Sequence, residues 1–174
     1  FDVEGSGELL KRQARSMQIL TSLPGVYGMI GGQVVDVELT GKPIDEDVLK
    51  FIFKLKTGAL IEACMMIGAC MAGAGEDEIA AMKEAALSIG MAFQIQDDIL
   101  DVTSSPEVLG KPTGSDEKNE KTTWVTLFGL DKARDDVRAY SEKAMKIIEG
   151  AGSGRDEGDT FLTDFVEWLI NREK

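Results

Sequence analysis

Apolar residues recur along this chain at spacings of three, four and seven, and no stretch sustains strict alternation, which predicts an all-α protein. A first helical stretch covers residues 7–38, broken at Leu23-Pro24-Gly25, where proline removes a backbone donor and glycine loosens the chain. Thr40-Gly41-Lys42-Pro43 reads as a turn. Asp45, Glu46 and Asp47 put negative charge where a helix N-terminus favours it, and that helix is expected to run through Lys56-Thr57 to about Met71. Gly73 and Gly75 end it, and Glu76-Asp77-Glu78 open another, expected to reach Val102 with a core-facing stripe of Ile79, Met82, Ala86, Ile89, Phe93 and Leu100. Residues 103–120 turn to Ser, Pro, Gly, Lys and Asp, a loop too long for a plain connector. Two helices follow, broken near Gly129, and then a Gly/Ser/Asp loop at 150–158. The last helix is expected to bury Phe161, Leu162, Phe165, Val166, Leu169 and Ile170 on one side.

With 174 residues, 43% of them hydrophobic, the chain can bury one substantial core, and neither a repeat nor a linker divides it. One domain over residues 1–174 is the expectation. Because the sequence opens at Phe1 rather than Met, amid acidic and glycine-containing residues, we expect it to be a piece of a longer domain. A net charge of −12 opposes nucleic acid and anionic membrane surfaces as non-specific partners. The absence of histidine removes Ser-His-Asp and Cys-His catalysis and imidazole acid–base chemistry. Cys64 and Cys70 lie on different faces of one helix, about 600° of rotation apart, which suggests neither a disulfide nor a zinc site. Read as two buried thiols, and with no secretory segment opening the sequence, they fit a cytoplasmic protein. The most membrane-like run, residues 58–75, is interrupted by Glu62 and is short and rich in Gly and Ala, so it reads as a core helix rather than a span.

The segment from Phe93 to Asp101 carries the clearest chemistry. At about 100° per residue, Gln94, Asp97, Asp98 and Asp101 fall in one sector beside the apolar stripe. Like charges one turn apart repel unless they are solvated or share a cation, and oxygen-only ligands without His or thiolate favour Mg²⁺. A solvated acidic face and a metal site are both open at this point. The following loop, 109–116, with Lys118 and Lys121 beyond it, would suit phosphate oxygens facing such a metal, or ordinary solubility. Lys56-Thr57 places a cation and a hydroxyl in an otherwise apolar helix, where a phosphate oxygen or simple snorkelling would accommodate the lysine. In Gly31-Gly32-Gln33-Val34-Val35-Asp36 the glycines permit close helix packing, and Gln33 and Asp36 share a face.

Taken in order, the segments around Gln33 and Asp36, Lys56-Thr57-Gly58, the run from Phe93 to Asp101, and Gly110-Lys111-Pro112-Thr113-Gly114-Ser115-Asp116 resemble the bacterial farnesyl and geranylgeranyl diphosphate synthases. The resemblance covers nearly the whole chain, and Ile170-Asn171-Arg172 looks like the family's usual C-terminus. It implies a helical bundle of the isoprenoid synthase type, of which this chain is the C-terminal portion, and a Mg²⁺-dependent trans-prenyltransferase acting on an allylic diphosphate and isopentenyl diphosphate. Asp97 would be the direct metal ligand, with Asp98, Asp101 and Asp116 acting partly through coordinated water. Lys56, Lys111 and Lys121 would hold diphosphate. Oxygens of Thr57 and Gln94 would face the carbocation, with Gln33, Asp36 and Phe93 lining the cavity beside them. The resemblance further implies a homodimer.

The family's first Asp-rich motif, its arginines and its isopentenyl diphosphate site precede the matched region, and this chain holds no substitute for them. Asp135-Asp136 is followed by Ala139 and Tyr140 where a third acid would be needed. The N-terminal half of the same protein is therefore expected to complete the site. A non-catalytic homologue serving a complete synthase is the alternative, although such a partner would have no chemical need for Lys56, Thr57, Gln94, Asp97 and Lys111. Terpene cyclisation uses the same metal logic, but the Lys56-Thr57 and Gly110-Lys111-Pro112 segments look more like chain elongation.

Overall fold

The computed structural model describes residues 7–104, 121–151 and 160–172. Every regular element among them is helical: α1 (Gly7–Ser22), α2 (Met29–Leu39), α3 (Glu46–Phe53), α4 (Ala59–Ala72), α5 (Glu76–Thr103), α6 (Trp124–Phe128), α7 (Leu130–Gly150) and α8 (Phe161–Ile170). Local chemistry sets most of the boundaries. Asp45 caps α3 by accepting the Val48 N–H at 3.0 Å, and Glu46 and Asp47 fill the first turn. Glu78 reaches back to the Gly75 N–H at 2.9 Å to start α5. Gly73, at φ +88°, closes α4 in the left-handed region that glycine adopts without strain.

Between α3 and α4 the helix does not stay regular. Residues Lys54–Gly58 form a π turn, a single-turn insertion of the kind that recurs at functional sites. Two glycines hold it from opposite sides. A Cβ on Gly32 of α2 would lie 2.4 Å from the Lys56 backbone nitrogen, and one on Gly90 of α5 would lie 2.9 Å from the Gly58 Cα. The expectation that glycines near residue 31 permit close packing is met at Gly32.

Helix α5 is the axis of the bundle and contacts α3, the π turn, α4, α6, α7 and α8. Around its C-terminal half, Met91, Ala92, Ile95 and Ile99 pack with Leu49, Ile52 and Phe53 of α3, Trp124 of α6, and Ala133 and Val137 of α7. Around its N-terminal half, Met82, Ala85 and Ile89 meet Ala144 and Ile148 of α7 and Val166 and Leu169 of α8. The predicted α5 stripe is buried throughout except at Phe93, which is half-buried.

Three expectations need correction. Cys70 is buried but Cys64 is exposed, so the chain does not carry two buried thiols. Among the described side chains of α8 only Val166 and Leu169 are buried, while Phe161 and Phe165 are exposed and stack in a row with Trp168. The side of α8 that meets α5 and α7 is narrower than the apolar content of the helix suggests. Finally, the run read as short belongs to the helix expected to pass through Lys56-Thr57, and that helix, Glu46–Ala72 with 27 residues, is long and apolar enough, by length and composition, to cross a membrane. In the bundle it contacts α1, α2 and α5, and its buried Glu62 pairs with Lys83 of α5 at 3.1 Å. The loop anticipated beyond Ser104, the loop beyond Ala151 and the side chain of Ile170 lie outside the described residues.

Candidate active site

Three elements bring charge to one point. Asp36 projects from the last turns of α2, Lys56 from the π turn, and Lys121 from the segment leading into α6. The Lys56 Nζ donates to Asp36 Oδ2 at 2.7 Å, and the Lys121 Nζ donates to both Asp36 oxygens at 3.2 Å. Burial pushes the Asp36 carboxyl pKa up, but hydrogen bonds and charge from Lys56 and Lys121 outweigh it and hold the group below its ordinary value. The carboxylate is therefore ionised near neutral pH, and the cluster carries one net positive charge in a chain whose balance is strongly negative.

Beside this cluster the Thr57 hydroxyl donates to Gln94 Oε1 of α5 at 2.9 Å. The bond ties the π turn to α5 and leaves the threonine oxygen's lone pairs available as acceptors. Lys56 and Thr57, which a regular helix would turn about 100° apart, are thus both engaged from the same short insertion.

The acidic face of α5 separates into distinct environments. Asp97 receives the Arg172 guanidinium at 3.3 Å, and that guanidinium stacks 3.7 Å above the centroid of Phe93, one turn earlier on α5. Burial draws the Arg172 pKa down, and the nearby Asp97 charge pulls it back only in part. Arg172 lies 75 residues from Asp97, and although the Ile170-Asn171-Arg172 segment resembles the family's C-terminus, no spacing along the chain pairs it with α5. Asp98 turns toward α6 and accepts the Trp124 backbone N–H at 2.7 Å. Asp101 is buried, 6% exposed. Gln33 is exposed on α2 and takes no part in the Asp36 cluster among the described residues. Lys111 and Asp116 lie outside the described residues. Asp136, half of the other Asp pair, accepts the Trp124 indole N–H at 2.9 Å and pairs with Lys132.

Asp98 therefore helps fix the corner from which Lys121 emerges three residues earlier. Replacing Asp98 by alanine is expected to lower the stability of the metal-free protein by about 1–2 kcal/mol, the usual worth of a lost side-chain hydrogen bond to a backbone N–H. Asp98→Asn, whose amide oxygen still accepts the N–H, should retain most of it. Thermal melting in chelator reads the difference, and equal losses in both variants would deny Asp98 this anchoring role.

The donor chemistry of the α5 face suits a hard divalent ion: carboxylates, with neither imidazole nor thiolate near them. Among the described residues, however, no three acidic, His or Cys side chains converge on a point that could hold a metal. Asp97, its side chain 42% exposed beside Arg172, is accessible to a ligand from solvent, whereas Asp101 is buried.

These helices, in this order, define an isoprenoid-synthase-type bundle. The chain superposes on a crystal structure of an FPP/GFPP synthase from Zymomonas mobilis with a TM-score of 0.75 and 31% identity, covering 92% of this chain and 52% of that one. It belongs to the polyprenyl synthetase family, whose model matches residues 7–155. It is similar to a dimethylallyltranstransferase of Fischerella ambigua, with 39% identity over 171 residues, 98% of this chain and 48% of the relative. It is also similar to a farnesyl diphosphate synthase of Escherichia coli, with 37% identity over 156 residues, 89% of this chain and 52% of the relative. The chain spans about half the length of these curated relatives.

Proposed function

We propose that these residues form one wall of the active site of a trans-prenyltransferase that joins isopentenyl diphosphate to an allylic diphosphate. The observation that carries this reading is the convergence of Lys56 and Lys121 on Asp36, at 2.7 and 3.2 Å, next to the Thr57–Gln94 hydrogen bond. Ammonium groups held there favour a leaving diphosphate, and fixed hydroxyl and amide dipoles favour the cation it leaves behind. The allylic C–O bond breaks with its electron pair departing on diphosphate. The double bond of isopentenyl diphosphate supplies the electrons for the new C–C bond, and a proton is lost to restore an alkene. Lys111 and the cavity residues Gln33 and Phe93 belong to the same reading.

Asp97, with Asp98, Asp101 and Asp116 acting partly through water, would hold Mg²⁺ together with diphosphate oxygens. Bound there, Mg²⁺ supplies charge neutralisation to the departing group. The carboxylates of this chain orient that charge, and Arg172 stands as the resident counter-ion of Asp97. The reading includes an N-terminal portion of the same protein that completes the site, a homodimer, and a cytoplasmic location.

The test is radiometric. Full-length protein with labelled isopentenyl diphosphate, Mg²⁺ and dimethylallyl, geranyl or farnesyl diphosphate is expected to yield a longer allylic diphosphate, and chelator is expected to abolish the product. Residues 1–174 alone should turn over nothing. Failure of the full-length chain with every allylic partner would overturn the reading and favour a non-catalytic partner subunit.

A further inference from the structure

The Asp36 cluster has a feature that anion binding alone does not require. A site built only to attract diphosphate would do better without a carboxylate, since a negative charge repels the ligand. Yet Asp36 sits at the centre of the two lysines, with its own side chain only 16% exposed and theirs 32% and 27% exposed. Each lysine comes from a different element, the π turn for Lys56 and the lead-in to α6 for Lys121, and among the described residues only Asp36 joins them. Both Nζ atoms contact the same oxygen, Oδ2, at 2.7 and 3.2 Å, so they can be no farther apart than those two lengths laid end to end, about 6 Å. Two ammonium ions that close repel, and each tops a flexible stem with large rotamer entropy.

Resting on the prenyltransferase reading above, we propose that Asp36 is a positioning residue, which holds Lys56 and Lys121 at one spacing so that their remaining N–H groups form a two-pronged clamp for a diphosphate. Each ammonium has three donors, and the contacts to Asp36 leave others for a ligand. The carboxylate offsets the repulsion between the two cations and fixes their rotamers before the ligand arrives, so the ordering cost does not fall on binding. Asp36 acts on the diphosphate through the lysines, not by touching it. Its depressed pKa keeps it charged in this role across neutral pH.

Opposite signs separate this role from a simple charge effect. If Asp36 merely adds negative charge near the site, Asp36→Asn should tighten the binding of inorganic pyrophosphate. If it positions the lysines, the same variant should weaken pyrophosphate binding about tenfold and raise the KM for the allylic diphosphate more than it lowers kcat. Asp36→Glu, which keeps the charge, should recover part of the loss. Titration calorimetry on the full-length protein measures the first quantity and initial rates the second. Unchanged or tighter pyrophosphate binding in Asp36→Asn overturns the inference. Wild-type protein that binds no pyrophosphate overturns the prenyltransferase reading and the inference with it.

A measurement on the wild type alone serves if Asp36→Asn does not fold. In limited acetylation read by mass spectrometry, Lys56 and Lys121 should react several-fold more slowly than the exposed Lys54 of the same turn, and pyrophosphate should slow both further. Labelling of all three at one rate, untouched by pyrophosphate, overturns the inference.

Discussion

Replacing Lys56 by alanine is expected to lower kcat/KM for prenyl transfer in the full-length protein about 10²–10³-fold, the range seen when one preorganised charge-stabilising donor is removed. The fold should survive. Lys56 is one-third exposed, and Asp36 keeps Lys121 as its partner, so the stability cost should stay within about 1 kcal/mol. Lys56→Arg retains the charge but presents a planar fork from a π turn shaped around a single ammonium, and should recover only part of the rate. Initial rates at saturating Mg²⁺, together with melting curves, decide the matter. Near-wild-type turnover in Lys56→Ala would remove Lys56 from the mechanism.

The second large effect is expected from Gly32→Ala, far milder in chemistry. The added methyl would stand 2.4 Å from the Lys56 backbone nitrogen, 2.7 Å from the Leu55 Cβ and 2.9 Å from the Leu55 carbonyl carbon. Two of these atoms are backbone, so no flexible side chain can swing aside. Helix α2 must back away from the π turn, at a cost of about 1–3 kcal/mol for overpacking. Asp36 lies one turn farther along the same face of α2, so the retreat should also lengthen its contact with Lys56 and reduce activity. Gly68→Ala is the control. A Cβ there meets nothing within 4 Å, and replacing glycine by alanine within α4 should be neutral or stabilising by a few tenths of a kcal/mol. Equal melting temperatures for the two variants would refute the close approach of α2 to the π turn.

Much of the fold is legible in local chemistry. The break after Ser22 follows from Pro24 and Gly25, the end of α4 from Gly73, the start of α3 from Asp45, and the division of α6 from α7 from Gly129. Each depends on what one residue's backbone or side chain can do, so a window of a few residues reveals it. The π turn was not legible. One extra residue in a single turn leaves the apolar pattern on either side intact, and the glycines packed closely against it, Gly32 and Gly90, lie in other helices. The exposed aromatic row of α8 was misread because hydrophobicity reports how much could be buried, while the width of the groove between α5 and α7 decides how much is.

The candidate site divides along the same line. Residue types and their order along the chain were enough to nominate Lys56, Thr57, Gln94 and the aspartates of α5 and to assign a polyprenyl synthetase resemblance, because hard oxygen donors and buried cations are unusual in apolar helices. Which of them meet was settled only by packing. Asp36 and Lys121 are 85 residues apart, Thr57 and Gln94 are 37 apart, and Asp97 and Arg172 are 75 apart. Helical periodicity carries phase only within one helix, so the partner of a side chain on another helix depends on crossing angle and separation. Here those depend on two glycines and on a corner pinned by Asp98 and Trp124. Composition thus determined the kind of chemistry this chain can support, and the tertiary structure decided that Asp36 holds two lysines while Asp97 and Asp98 of α5 turn to different partners, Arg172 and the Trp124 backbone.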